Sequence, residues 1–206
     1  MSKDITEYEA KFYPVNKDEY RQKLINLGAK LTIPERRLIR IIADSRSNST
    51  LQPNHYIRLR DEGDVIRLSY KITADQTGNL SDQKEIDVEV SDFEKTTKIL
   101  EAAGVKFNYK QETLREEWEY KGAQITIDTW PGLDAYSEIE TDSEQKVKEL
   151  AEEIGFDWNH RIITAAAEVY ERVYKIEIEK VLKMIQSITF ENNPFEGLEK
   201  HELEYN

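Results

Sequence analysis

The chain has 206 residues, enough for one domain with a substantial core or for a domain with a helical appendage. Its 41 acidic residues against 29 basic ones give a formal net charge of −12, which argues against a general nucleic-acid binder, and the absence of cysteine excludes a disulfide framework and thiolate metal ligation. Any divalent ion has to be held by carboxylates, which favours Mg²⁺ or Mn²⁺; no stretch approaches the roughly 18 apolar residues of a membrane span and no signal-peptide core is present, so a cytoplasmic protein without a membrane partner is expected.

Residues 4–13 alternate, with Glu7, Glu9 and Lys11 on one face and Tyr8, Ala10 and Phe12 on the other, and read as a strand. Asn16 with Glu19 can cap a helix of about three turns, in which Tyr20, Leu24 and Leu27 keep helical spacing and Gly28 supplies the stop. The apolar run Leu38 to Ala43 is the next strand. Beyond a polar loop (Asp44 to Asn54), two further runs flank the turn Asp61-Glu62-Gly63-Asp64 as a hairpin. The loop Thr73 to Asp82 leads to a strand at Lys84 to Val90, after which Ser91 and Glu94 open a second helix that closes at Gly104. Val105 to Tyr120, Gln124 to Trp130 and Tyr136 to Thr141 bring the count to about eight strands, with turns at Lys121-Gly122 and Pro131-Gly132. From Ser143 the apolar spacing becomes helical (Val147, Leu150, Ile154, then Ile162, Ala166, Val169, Tyr170, Val173, Ile176) and the chain ends in a polar tail.

Within the strands the ionisable residues share one parity and the apolar residues the other, so one face of the sheet is charged throughout. The charged set is Glu7, Glu9, Lys11, Arg58, Arg60, Arg67, Lys71, Glu85, Asp87, Glu89, Arg115, Glu117, Asp128, Glu138 and Glu140. An ordinary sheet with one wet face explains any single strand of this kind. Agreement of both signs across so many strands, with Glu-x-Glu pairs near opposite ends of the chain, points instead to a barrel that brings the first and last strands together and converges four carboxylates. Crowded carboxylates repel, and a divalent cation is the usual remedy; opposite them Arg58, Arg60, Lys71 and Arg115 present donors suited to phosphate oxygens.

Glu7-Tyr8-Glu9-Ala10-Lys11 resembles the ExExK signature of the CYTH superfamily, the triphosphate tunnel metalloenzymes. The order that follows is also similar to that family: Arg58-Leu59-Arg60, Ser69-Tyr70-Lys71, an acidic strand at Glu85, Arg115, and Asp128 leading to Glu138-Ile139-Glu140, a likeness that spans residues 4–175. The segment from Ile127 to Glu140 looks most like the class IV adenylyl cyclase branch. The resemblance implies an α+β fold: a closed eight-stranded antiparallel β-barrel, or tunnel, with helices packed outside and a C-terminal helical segment. Residues 1–177 would form the tunnel domain and 178–206 an extension that packs on the barrel or forms a homodimer contact. It implies that Glu7, Glu9, Glu138 and Glu140 bind the metal with Asp128 or Glu85 close by, and that Lys11, Arg58, Arg60, Lys71 and Arg115, joined by Arg67 on the same face, hold the triphosphate. Glu7, Glu9, Lys11 and Asp128 are the expected catalytic residues. Thr113 stands where several members have a second basic residue, and Gln83 where some triphosphatases have a carboxylate.

Two reactions suit one such site. In the hydrolytic reading a metal-activated water attacks the terminal phosphorus of tripolyphosphate, ATP or thiamine triphosphate, and only the triphosphate has to be recognised. In the cyclase reading the ribose 3′-hydroxyl of ATP attacks the α-phosphorus, and a base pocket is needed as well. Hydrolysis demands less of the site and is the expected activity. A barrel that binds polyphosphate without turnover is the third reading. Tyr8, Tyr56 and Trp130 are the aromatic residues that could stack on a base, and His55, His160 and His201 show no metal spacing.

Overall fold

The computed structural model describes residues 6–74 and 79–204. The predicted strand start at residues 4 and 5, the middle of the Thr73 to Asp82 loop at residues 75–78, and the last two tail residues lie outside them. Eight strands form the main sheet: β1 (Tyr8–Phe12), β2 (Lys30–Asp44), β3 (His55–Asp61), β4 (Ile66–Ile72), β5 (Lys84–Val90), β6 (Tyr109–Tyr120), β7 (Ala123–Thr129) and β8 (Tyr136–Thr141). The helices are α1 (Lys17–Leu27), α2 (Phe93–Ala102), α3 (Glu144–Ile154), α4 (Ala166–Tyr174) and α5 (Ile178–Met184), and a short strand β9 (Ser187–Ile188) follows. No described helix is long and apolar enough to cross a membrane.

The strand order is β1-β8-β7-β6-β2-β3-β4-β5, with each of these neighbouring pairs antiparallel, and β9 adds a parallel pairing to β6. The fold is therefore the expected α+β barrel, with one difference in how it closes. β1 and β8, the first and last barrel strands in sequence, are ordinary neighbours, with Glu9 opposite Glu140 and Lys11 opposite Glu138. The seam lies between β1 and β5, because β2 inserts between β6 and β3 and carries β3 to β5 round to the far edge. It is bridged at Thr6–Lys84, by a bond from the Glu7 amide to the Gln83 carbonyl (3.0 Å) and by one from Gln83 Nε2 to the Glu9 carbonyl (2.9 Å), not by a full ladder.

Local sequence explains the elements. Asn16 accepts from the amides of Asp18 and Glu19 and starts α1, which buries Tyr20 and Leu24. Asp92, not Ser91, caps α2, accepting from the Lys95 amide at 2.8 Å. β2 is longer than the apolar run predicted: it begins at Lys30, where its side chains are largely exposed and the alternation is lost across two register shifts. β6 begins at Tyr109 rather than Val105.

The outward faces of β1, β6, β7 and β8 meet α1 and α3 in a core that includes Leu24, Ile125, Ile127, Ile139, Val147 and Leu150. Each such aliphatic side chain contributes about 1.5–3 kcal/mol on burial. A second core closes one end of the barrel: Val169, Tyr170 and Val173 of α4, Val181 of α5, then Ile188 and Phe195 pack on Tyr109, Trp130 and Tyr136. Residues beyond 177 thus pack on the barrel. Gly132 turns the chain beneath this cap at φ +84°, and a Cβ there would lie 2.9 Å from Asn193 Oδ1, so a side chain is excluded by both strain and space.

Candidate active site

Inward-facing side chains of the barrel line a cavity of about 520 Å³. Of the predicted residues, Glu7, Glu9, Lys11, Arg58, Arg60, Arg67, Lys71, Glu85, Arg115, Glu138 and Glu140 all face it. The acids gather at the seam, since β1, β8 and β5 carry them, while arginines from β2, β3 and β6 occupy the opposite wall.

Most of the acids already hold a base. Lys11 is paired with Glu9 and lies 3.5 Å from Glu138; Lys71 reaches Glu7 at 3.0 Å and Glu85 at 2.5 Å, and Arg58 reaches Glu85 at 2.7 Å. Burial works against both lysine charges, yet the facing carboxylates hold both pKa values above the usual lysine range. Burial likewise opposes ionisation of Glu85, but Arg58 and Lys71 pull it well below an ordinary carboxyl. Among the described residues no three His, Asp or Glu side chains form a ready-made cation site.

Two carboxyls are left under-compensated. Burial pushes Glu140 up to about 7, assisted by Glu9 directly across the ladder, and no described residue forms an ion pair with it. Burial and the neighbouring Glu85 and Glu9 push Glu7 up to about 8, although Lys71 opposes this. An all-oxygen donor set with one carboxylate lacking a counter-ion fits a hard divalent cation. In buffer without divalent ions, these two groups should make stability fall as pH rises from about 5 to about 8. The unfolded chain sheds both protons near 4.5, whereas the folded state keeps them until its own higher pKa values, so each deprotonation above 4.5 costs the folded state. Glu85 acts in the opposite sense, but only below its ordinary value of 4.5. Thermal melts across this window should show Tm dropping by a few degrees; a steady rise would contradict the assignment.

Asp128 stands apart from the other predicted residues. It does not line the cavity: it is 1% exposed behind Arg115, accepting from Arg115 Nε at 2.8 Å and Nη2 at 2.9 Å and from Thr126 Oγ1 at 2.6 Å. With both oxygens engaged it orients Arg115, whose Nη2 also reaches Glu138 at 2.5 Å.

The main residue that sequence reasoning missed is Arg40. It enters from β2 opposite Arg60, its guanidinium lies 4.8 Å above the Trp130 ring, and it donates to Thr113 Oγ1. A guanidinium from the next strand thus sits over the Thr113 hydroxyl. Trp130, whose Nε1 donates to Tyr136 Oη at 2.7 Å, is therefore a platform for Arg40 rather than for a base. Tyr56 does face the cavity, whereas Tyr8 packs on the α1–α3 core.

Among the described residues Arg40 has no carboxylate within ion-pair reach, and the guanidiniums of this wall crowd one another. Burial, then Arg58 and Arg115, bring Arg40 down to about 10; burial, then Arg58, Arg115 and Arg40, bring Arg60 down to about 9. Arg40 Nε, Arg58 Nε and Arg36 Nη1 are buried without a hydrogen-bond partner. Orphaned buried guanidinium donors are costly, and guanidiniums that lower one another's pKa mark an excess of positive charge that an anion in the cavity would offset.

No protein with a curated description matches this sequence. Solved structures do share the fold. A Vibrio parahaemolyticus protein provisionally described as an adenylate cyclase has a TM-score of 0.67 at 13% identity, over 81% of this chain and 98% of that one. A conserved hypothetical protein from Pyrococcus furiosus has a TM-score of 0.64 at 17% identity, over 77% and 96%. A Hippeastrum protein described as a provisional adenylyl cyclase with a dominant triphosphatase activity has a TM-score of 0.50 at 14% identity, over 80% and 93%. At these identities the likeness is one of fold alone. The model of the CYTH domain matches residues 6–174, most of the chain, and this protein accordingly belongs to the CYTH domain family.

Proposed function

We propose that this protein is a divalent-metal-dependent phosphohydrolase that takes the triphosphate of a small molecule into the barrel cavity. The observation that carries the reading is the gathering of Arg40, Arg58, Arg60, Lys71 and Arg115 in one cavity with the carboxylates of Glu7, Glu9, Glu138 and Glu140. CYTH membership supports a triphosphate-related function and a divalent cation. In this reading Arg58, Arg115, Lys71 and Arg40 hold phosphate oxygens, with Arg60 and Arg67 toward one mouth. Glu140, Glu9, Glu7 and Glu138 are the residues that would hold Mg²⁺ or Mn²⁺, with Glu85 nearby. When bound, the ion supplies neutralising charge and an acidified water.

The chain's own groups account for the rest. Lys11, fixed between Glu9 and Glu138, places a permanent cation where charge builds on the departing phosphate. Arg115, oriented by Asp128, does the same from the opposite wall, and the cap of α4 and α5 excludes water from one end. One observation favours an organic triphosphate and keeps the cyclase reading in play: Ile42, Tyr109, Leu182 and Ile185 give the capped end an apolar lining.

The purified protein should be assayed on tripolyphosphate, ATP and thiamine triphosphate with Mg²⁺ and with Mn²⁺, and the products separated by chromatography. Orthophosphate release that requires the cation is the expected result. Cyclic AMP with pyrophosphate would replace hydrolysis by cyclisation, and no turnover of any of the three would leave a binding barrel.

A further inference from the structure

At the mouth opposite the α4–α5 cap, the hairpin joining β3 and β4 turns a carboxylate back into the cavity. Ile42 at the capped end and Arg36 at this mouth stand along β2 with roughly 20 Å of strand between them. Glu62 is only 4% exposed although it belongs to a turn. Its Oε1 accepts from Arg60 Nε at 2.8 Å and Nη2 at 2.5 Å and lies 3.4 Å from Arg67 Nε, while Oε2 accepts from Arg36 Nη2 at 3.0 Å. The turn is locked in place: Arg36 Nε donates to the Glu62 carbonyl at 2.9 Å, the Glu62 amide to the Val65 carbonyl at 2.9 Å, and Gly63 takes the positive φ of +95° that the turn needs.

These contacts have a chemical meaning. The basic wall runs from Arg40 and Arg58, each with an unpartnered Nε, to Arg60, whose Nε and Nη2 both donate to Glu62. A carboxylate here does what one more phosphate group would do: it pairs with Arg60, while Glu117 at 2.8 Å from Arg36 and Asp87 at 3.1 Å from Arg67 match the other two guanidiniums, so a further anion meets a carboxylate and no uncompensated charge. Resting on the triphosphate reading above, we infer that Glu62 is a built-in anion stop that sets the length of phosphate chain the cavity accepts, so that three phosphates are bound and a fourth is rejected. Rejection comes from like charge at a fixed position, which discriminates by penalising the wrong ligand rather than by improving the right one. Glu62 is thus a specificity-determining residue at the far end of the phosphate row.

The test compares tripolyphosphate and tetrapolyphosphate binding by calorimetry, in the wild type and in Glu62→Gln, which keeps the shape and removes the charge. The wild type should bind the shorter chain at least about tenfold more tightly, and in Glu62→Gln the gap should shrink to within about threefold. Glu62→Asp, whose carboxylate is drawn back by one methylene, should narrow the gap partway, and its ratio decides the matter if Glu62→Gln melts as an unfolded protein. Equal weakening of both ligands, with the ratio unchanged, would mean that Glu62 is a structural counter-ion only and would overturn the inference. A wild type that binds both chains equally well also overturns it while leaving the triphosphate reading intact. A wild type that binds neither removes both.

Discussion

Glu140→Gln should abolish metal-dependent turnover, by more than about 100-fold, while leaving the fold as stable as before or slightly more so above pH 7. The size follows from the ligand set: altering residues that merely support a metal ligand already costs about 10–100-fold, and Glu140 is proposed to be a ligand itself. The retained stability follows from its surroundings. Its carboxylate is buried opposite Glu9 and its pKa is raised to about 7, so the ionised form is unfavourable in the folded protein and a neutral amide removes that cost. The comparison with Glu9→Gln is instructive. Glu9 is also expected to be essential, but its loss strips Lys11 of its closest partner, so an inactive Glu9→Gln mixes two causes. Kinetics, a Tm measurement and a Mn²⁺ titration of Glu140→Gln together separate chemistry from folding; activity within a few-fold of wild type would sink the metal assignment.

Asp128→Ala should lower stability by about 3–5 kcal/mol, the cost of stranding a buried ion-pair partner. For a chain of this length that is roughly 10 °C in Tm. Arg115 loses two of its hydrogen bonds and stays buried with Glu138 as its remaining carboxylate. Asp128→Asn, which keeps the shape but offers one acceptor oxygen in place of two and no charge, should recover only part of the stability while raising KM, because Arg115 is then less firmly aimed. If Asp128→Asn instead lost turnover completely with Tm and KM unchanged, Asp128 would act on the reaction directly rather than through Arg115.

Much of this molecule is legible in its sequence, for one reason. A barrel with a charged interior imposes the same parity on every strand, and that parity survives in β1, β3, β4, β5 and β8, where Glu9, Arg58, Lys71, Glu85 and Glu138 all point inward. Helix boundaries were readable where a side chain supplies the missing hydrogen bond, as Asn16 does for α1. Arg40 was hidden because it is a lone charge inside the run Leu38 to Ala43, whose apolar neighbours look like core; its parity with Arg36 was the available signal. Glu62 was hidden because turn composition predicts exposure, and nothing local says that Arg36, distant in sequence, will draw it inward. The position of the seam was also out of reach, since strand order depends on where β2 inserts, a long-range choice that periodicity does not encode.

The cylinder therefore has a slit with two acidic lips, and Lys71 rivets them: one ammonium group grips Glu7 on one side and Glu85 on the other. Any anion that takes hold of that ammonium therefore competes with both lips at once, so the clasp of the slit and the grip on a guest draw on the same charge.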